Sequence, residues 1–225
     1  ITRRMPSDLI TYDIDDNLNM KIYGGNAEYQ ISAISAEEYP ALPEIERENP
    51  ILINQEVLKS MINQTNYATS LNDAKPILTG ELFDIENSGI NMVAIDGFRL
   101  AIRYEKINCA DKHYFVVPSK ALLEASILKE DAENDCEIFV NSKHILFDIN
   151  GYRIFTRLLE GEFHNYKNSV PKEFKTEVIV KTSDIVHCLE RCSLLLNEKN
   201  KAPVKCTFGN GEIKINCKTG IGRLD

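Results

Sequence analysis

The amino-acid sequence predicts an α+β protein built from repeated strand-helix-antiparallel meander units, with the helices on one face of the sheets. Three observations carry that prediction. An apolar strand leading into an apolar helix start occurs three times: Pro50-Ile51-Leu52-Ile53 into Val57-Leu58, Tyr114-Phe115-Val116-Val117 into Leu122-Leu123, and Val178-Ile179-Val180 into Ile185-Val186. Ile53 to Val117 is 64 positions and Val117 to Val180 is 63, and the next anchor (Leu58, Leu122, Ile185) falls five residues later in each copy. Such a period constrains architecture more than any single motif. Between the copies lie alternating runs broken by turn residues, and the helical stretches are short and apolar on one side, as suits a helix covering a sheet.

Taken in order, residues 9–13, 18–23 and 28–35 alternate apolar and polar side chains around the turns Asp15-Asp16-Asn17 and Gly24-Gly25-Asn26, and read as a meander. The cadence returns at 81–86, 90–95 and 98–104, with turns at Asn87-Ser88-Gly89 and Asp96-Gly97. It returns again at 136–141, 144–149 and 152–158, where Asn150-Gly151 is a strong hairpin signal, and begins once more at 205–208 and 212–217 around Gly209-Asn210-Gly211. The first helix carries the stripe Val57, Leu58, Met61, Ile62, with Lys59 and Asn63 outward. The second carries Leu122, Leu123, Ser126, Ile127, with Lys120 and Lys129 outward; the third carries Ile185, Cys188, Leu189, Cys192, Leu196. Ser35-Ala36-Glu37-Glu38-Tyr39-Pro40-Ala41-Leu42 echoes Glu160-Gly161-Glu162-Phe163-His164-Asn165-Tyr166, each closing a meander ahead of a proline, Pro43 or Pro171. The inferred organisation is the end of one domain at 1–47, a complete domain at 48–172, and the start of a third at 173–225, the middle one of ordinary size for a single core.

With 225 residues, 43% hydrophobic and 27% charged, the chain has the composition of a folded globular protein. It has no apolar run long enough to span a bilayer and no leader peptide, which reads as a cytoplasmic protein. The opening at Ile1 and the close at Leu224-Asp225 straight after a strand-like run predict a fragment. Six scattered cysteines read as free thiols. Cys188 and Cys192 stand one helical turn apart beside His187, but the partner pair of a closed metal site is missing, so neither metal nor cofactor is expected. The net charge of −8 divides as −6 over residues 1–50, −5 over 51–170 and +3 over 171–225. Overall acidity disfavours non-specific polyanion binding unless basic residues are segregated onto one surface.

No catalytic constellation emerges: there is no phosphate loop, dinucleotide fingerprint, G-x-S-x-G elbow or H-E-x-x-H, and His113, His144, His164 and His187 are dispersed. Asp96 before Gly97 reads as a turn former rather than a catalytic acid, and Asp13, Asp15 and Asp16 as a solvated turn rather than a cation loop.

Val93-Ala94-Ile95-Asp96-Gly97-Phe98-Arg99-Leu100-Ala101 resembles the T-D-G-H-R-L-A segment of the bacterial DNA polymerase III beta subunits, the sliding clamps. Val116-Val117-Pro118-Ser119-Lys120 is similar to that family's V-P-R-K strand end, Glu162-Phe163-His164-Asn165-Tyr166 to its R-F-P-D-Y, and Ser193-Leu194-Leu195-Leu196-Asn197-Glu198-Lys199 to its A-I-L-S-N-E-K. The resemblance implies a DNA clamp fold with three like domains per chain, the first and third truncated here. It also implies a ring homodimer at full length around double-stranded DNA, gripped without regard to sequence, and a processivity factor with no catalysis of its own.

It further implies Lys120 as a DNA-facing side chain, with Lys75 and Asn72 next. Partners would be the polymerase III alpha subunit, the clamp loader, repair polymerases and mismatch-repair proteins, each docking a short clamp-binding motif in an apolar pocket. Carried over position by position, its wall is Leu78, Ile95, Gly97, Phe98, Arg99 and Leu100, with His164, Asn168 and Ser169 at the following segment. Phe98 stands where the family usually has histidine, Ile95 where it has threonine, His164 where it has proline and Ser169 where an aliphatic is common. Apart from the resemblance, Leu78 and Leu100 read as core residues. The rival readings are a β-rich interaction scaffold without DNA and a hydrolase using Asp96 and Arg99.

Overall fold

Almost every alternating run forms a strand, in a computed structural model that describes all residues except 43, 73, 87–88, 110, 128–133, 197–201 and 210. The expected roles of Pro43, the Asn87-Ser88 turn, Lys129, Asn197 to Lys199 and Asn210 lie outside the described residues. The chain divides into two compact units, Ile1–Tyr166 and Lys167–Asp225.

The first unit opens with the meander β1 (Thr11–Ile14), β2 (Asn19–Gly24), β3 (Ala27–Ser32). Then follow β4 (Ile51–Asn54), α1 (Gln55–Thr65), β5 (Gly80–Glu86), β6 (Gly89–Ile95) and β7 (Leu100–Lys106). The cycle repeats as β8 (His113–Pro118), α2 (Ser119–Ile127), β9 (Asp135–Val140), β10 (His144–Ile149) and β11 (Tyr152–Arg157). The two halves are not side by side but interlocked. The sheets run β7-β6-β5-β8 and β11-β10-β9-β4, so the opening strand of each half completes the meander of the other. Ile51 faces Ile138 and Ile53 faces Cys136 in one sheet, as Phe115 faces Phe83 and Val117 faces Glu81 in the other.

Inward side chains of both sheets and both helices form one core that includes Ile53, Leu58, Met61, Ile62, Phe83, Met92, Val117, Leu122, Ile138 and Phe147. Burying each such side chain contributes about 1.5–3 kcal/mol. Helix α1 starts where Asn54 turns its side chain back, Oδ1 accepting from the Glu56 and Val57 amides at 3.0 and 3.3 Å. Helices α1 and α2 touch each other over the same core. The second helix is rolled relative to its expected stripe: Leu122 and Ala125, three apart, are buried, whereas Leu123 lies a third of a turn round and is exposed. At the β10–β11 turn both Asn150 (φ 48°) and Gly151 (φ 82°) adopt left-handed backbone, as a two-residue hairpin requires.

The interlocked pairs place two unlike groups at matching inward positions, Cys136 opposite Ile53 and Glu81 opposite Val117. Burial pushes the Cys136 thiol up to about 12, with help from Asp148. Burial also raises the Glu81 carboxyl to about 7, against the opposing bonds from Thr65 and Asn66. Asn66 Nδ2 donates to Glu81 Oε1 at 2.6 Å, and Ser119 Oγ donates to Asn66 Oδ1 at 2.9 Å. Thr65 Oγ1 is hydrogen-bonded to both Glu81 Oε2 and the Met61 carbonyl. A hydroxyl has a single proton, so both bonds form together when the carboxyl donates to Thr65 and Thr65 donates to Met61. Glu81 thus ties the end of α1, through Asn66, to the start of α2.

The second unit holds α3 (Thr182–Ser193), β12 (Val204–Gly209), β13 (Glu212–Lys218) and β14 (Arg223–Leu224), with the sheet order β12-β13-β14. The third copy of the repeat departs from expectation here, because Val178-Ile179-Val180 is not a strand. A strand needs a ladder partner. Its counterpart β4 finds one in β9, whereas 178–180 have none among the described residues, and Ile179 is 95% exposed. No helix among the described residues is long and apolar enough to cross a membrane.

Candidate partner-docking site

The outward face of the β7-β6-β5-β8 sheet carries an apolar cluster of its own. Alternation puts Leu82 opposite both Val93 and Val116, and at the hairpin end Ile95 opposite Leu100. Phe163 and Tyr166 cover Leu82, Val93 and Val116, forming a second cluster against which Ile77, Leu78, Ile95, Leu100 and Leu159 pack. Leu78 sits on a 3-10 turn, Pro76–Thr79, that hands the chain into β5, and its carbonyl accepts from the Ser70 amide at 2.8 Å.

Beyond Ile95 and Leu100 the β6–β7 hairpin closes through Asp96, Gly97, Phe98 and Arg99. Asp96 Oδ1 accepts from the Phe98 and Arg99 amides at 3.0 and 3.1 Å, while Arg99 Nε donates to Asp96 Oδ2 at 2.9 Å. These bonds, the Phe98 amide foremost, hold the Asp96 carboxyl below its ordinary range. Both oxygens are occupied in building the turn, in line with the turn reading of Asp-Gly rather than the hydrolase rival. Gly97 has φ 91°, a region open to glycine, and the reversal leaves Phe98 100% exposed. A wholly exposed phenylalanine at the tip of an ordered turn gains nothing from the fold. The Arg99 guanidinium lies 5.5 Å above the centre of the Tyr67 ring, so the one cation of the turn is held from two sides.

The structure therefore brings Leu78, Ile95 and Leu100 into one apolar wall and sets Gly97, Phe98 and Arg99 at its rim, with half-buried leucines rather than plain core ones. His164 is exposed between the buried Phe163 and Tyr166. Asn168 and Ser169 are exposed and belong to the second unit. Sequence reading missed Tyr67, which carries no local signal, and Asp84, whose place on the outward face follows from alternation with Leu82. Lys120 is exposed in the first turn of α2, and Asn72 and Lys75 are exposed in the loop after α1. Among the described residues no three His, Cys, Asp or Glu side chains gather as for a metal; the Cys188 sulfur accepts from Arg191 at 3.0 Å.

The central domain of the DNA polymerase III beta subunit, as a family profile, matches residues 52–165. The chain belongs to the DNA polymerase III beta subunit family. It is 32% identical over 207 residues to the beta sliding clamp of Bacillus subtilis, covering 91% of this chain and 55% of that protein. It is 28% identical over 216 residues to that of Staphylococcus epidermidis, covering 96% of this chain and 57% of that protein. Among solved structures, a putative DNA polymerase III beta subunit from Eubacterium rectale superposes with a TM-score of 0.89 at 30% identity, over 100% of this chain and 61% of that one. The Bacillus subtilis sliding clamp does so with 0.87 at 31%, over 99% and 60%. The chain spans little more than half the length of the curated relatives it matches. The α+β clamp fold expected from the beta subunit motifs is thus the fold observed.

Proposed function

We propose that the chain is part of a DNA sliding clamp, a non-catalytic processivity factor in which 48–172 form a complete clamp domain between parts of two others at 1–47 and 173–225. In the whole protein two such chains would close a ring on duplex DNA and tether the replicative polymerase, its loader and repair proteins. The observation that carries the reading is the apolar wall of Leu78, Ile95 and Leu100 beneath a fully exposed Phe98, inside the residues matched to the family. A short peptide with apolar anchors needs such a slot, and Arg99 with its fixed guanidinium supplies an orienting charge. His164 is assigned to the same docking region by position in the family.

Lys120 supports the DNA half of the reading. A cation in the first turn of a helix opposes the helix dipole, so it does not serve α2 itself. A contact to phosphate without base readout suits it, with Lys75 and Asn72 as further contacts. Changing Phe98 and Leu100 together to alanine is expected to abolish binding of a peptide from the polymerase's clamp-binding segment, with the unfolding midpoint of the first unit little changed. Retained affinity would move the slot elsewhere. The whole protein is expected to stay on circular DNA and run off linear DNA.

A further inference from the structure

Asp84 is a carboxylate side chain only 3% exposed, on the outward face of β5 next to the apolar Leu82. Leaving a carboxylate there without a strong donor would be costly. The Tyr166 hydroxyl reaches it across the cluster, donating to Asp84 Oδ2 at 2.6 Å. Burial first and this bond second raise the phenol above its ordinary range, so it remains a donor at any physiological pH. Tyr166 ends a segment whose other end is also fastened to the sheet, the Leu159 amide donating to the Val116 carbonyl at 2.9 Å. Between these two attachments lie Phe163, buried against Leu82, Val93 and Val116, and His164, turned outward. The wall residues Leu78, Ile95 and Leu100 pack on that same cluster.

We infer that Tyr166 is a positioning residue for the docking slot: its bond to Asp84 pins segment 159–166 to the sheet and so sets Phe163 and His164 relative to the wall formed by Leu78, Ile95 and Leu100. This rests on the slot reading given above. The phenol itself is buried and touches no docked peptide; it acts through the residues it holds in place. Without it, the segment loses its attachment at Tyr166 and the slot a fixed edge, which weakens a partner by reducing preorganisation.

The test uses the full chain and a fluorescein-labelled peptide from the clamp-binding segment of the replicative polymerase. Tyr166→Phe is expected to weaken peptide binding roughly fivefold or more, while Asp84→Asn, which keeps an oxygen to accept the bond, stays within about twofold of the unaltered chain. Without peptide, Tyr166→Phe should shift the methyl resonances of Leu78 and Leu100, and Asp84→Asn should shift them less. A residue important only for stability would lower the melting midpoint in both variants and leave those methyl signals in place; that result overturns the inference. If the Phe98/Leu100 double alanine variant loses the peptide but Tyr166→Phe binds it with full affinity, the slot stands and the positioning role falls. If the double variant still binds, the slot reading falls, and the methyl shifts alone decide whether Tyr166 sets that wall.

Discussion

The β9–β11 and β1–β3 meanders have the same inward alternation, yet one is sealed and the other half open. Ile138, Ile145 and Phe147 are fully buried in the first, while Tyr12, Ile14, Tyr29 and Ile31 on the matching face of the second remain 40–52% exposed, and only Ile22 is covered. The difference is in the neighbours. The β9–β11 meander is extended by β4 and shares one core with both helices, whereas β1–β3 forms a sheet of three strands alone. An apolar alternating run thus yields a strand by itself, but a core only when the companion half supplies the missing strand and helix.

The comparison breaks most plainly under truncation of its two equivalent faces. Phe147→Ala is expected to cost about 3–5 kcal/mol in urea unfolding, against under about 1 kcal/mol for Ile31→Ala. Equal costs would mean that the half-open face is covered in solution. Next in size, Ile53→Pro, which removes a ladder donor from β4, should cost about 3 kcal/mol or more, whereas Val180→Pro in the unpaired third copy should be nearly neutral. A large loss at Val180 would reveal a strand partner there.

The linkage through Glu81 sharpens the comparison further, because β1–β3 holds no equivalent acid. The folded state keeps this proton up to about 7, while an unfolded glutamate releases it near 4.5. Its stabilising share is therefore complete below the unfolded value and drains away as pH rises through 7, on the order of 3 kcal/mol in total. Thermal midpoints should fall from pH 5 to pH 8 in the unaltered chain and flatten in Glu81→Gln; a parallel fall would assign the pH dependence to other groups. The smallest effect is local. Amides of β1–β3 should exchange with solvent faster than those of β9–β11 under native conditions, and equal protection would join the two meanders into one cooperative unit.

Much of the architecture was legible because it rests on period and alternation. The 64-residue spacing announced two halves, and Asn150-Gly151 announced its turn by chemistry. The crossing of β4 onto β9 and β8 onto β5 was not legible, since side-chain alternation says which face is apolar but not which strand lies alongside. The failure of 178–180 to form a strand has the same origin. At the proposed docking site, the beta subunit motif pointed to residues that the fold packs on one apolar cluster, and Asp-Gly explained the turn. The Asp84–Tyr166 bond and the seat of Arg99 on Tyr67 join residues 82 and 32 positions apart, beyond the reach of local pattern.

The exchange of opening strands between halves also sets an order of events during synthesis. Strand β4 leaves the ribosome well before β9 has been translated, so Ile51 and Ile53 wait with an unsatisfied edge until the second half arrives. Closing that distant pair comes late and slowly, and until then the nascent chain is open to capture by chaperones or by the edge of another polypeptide.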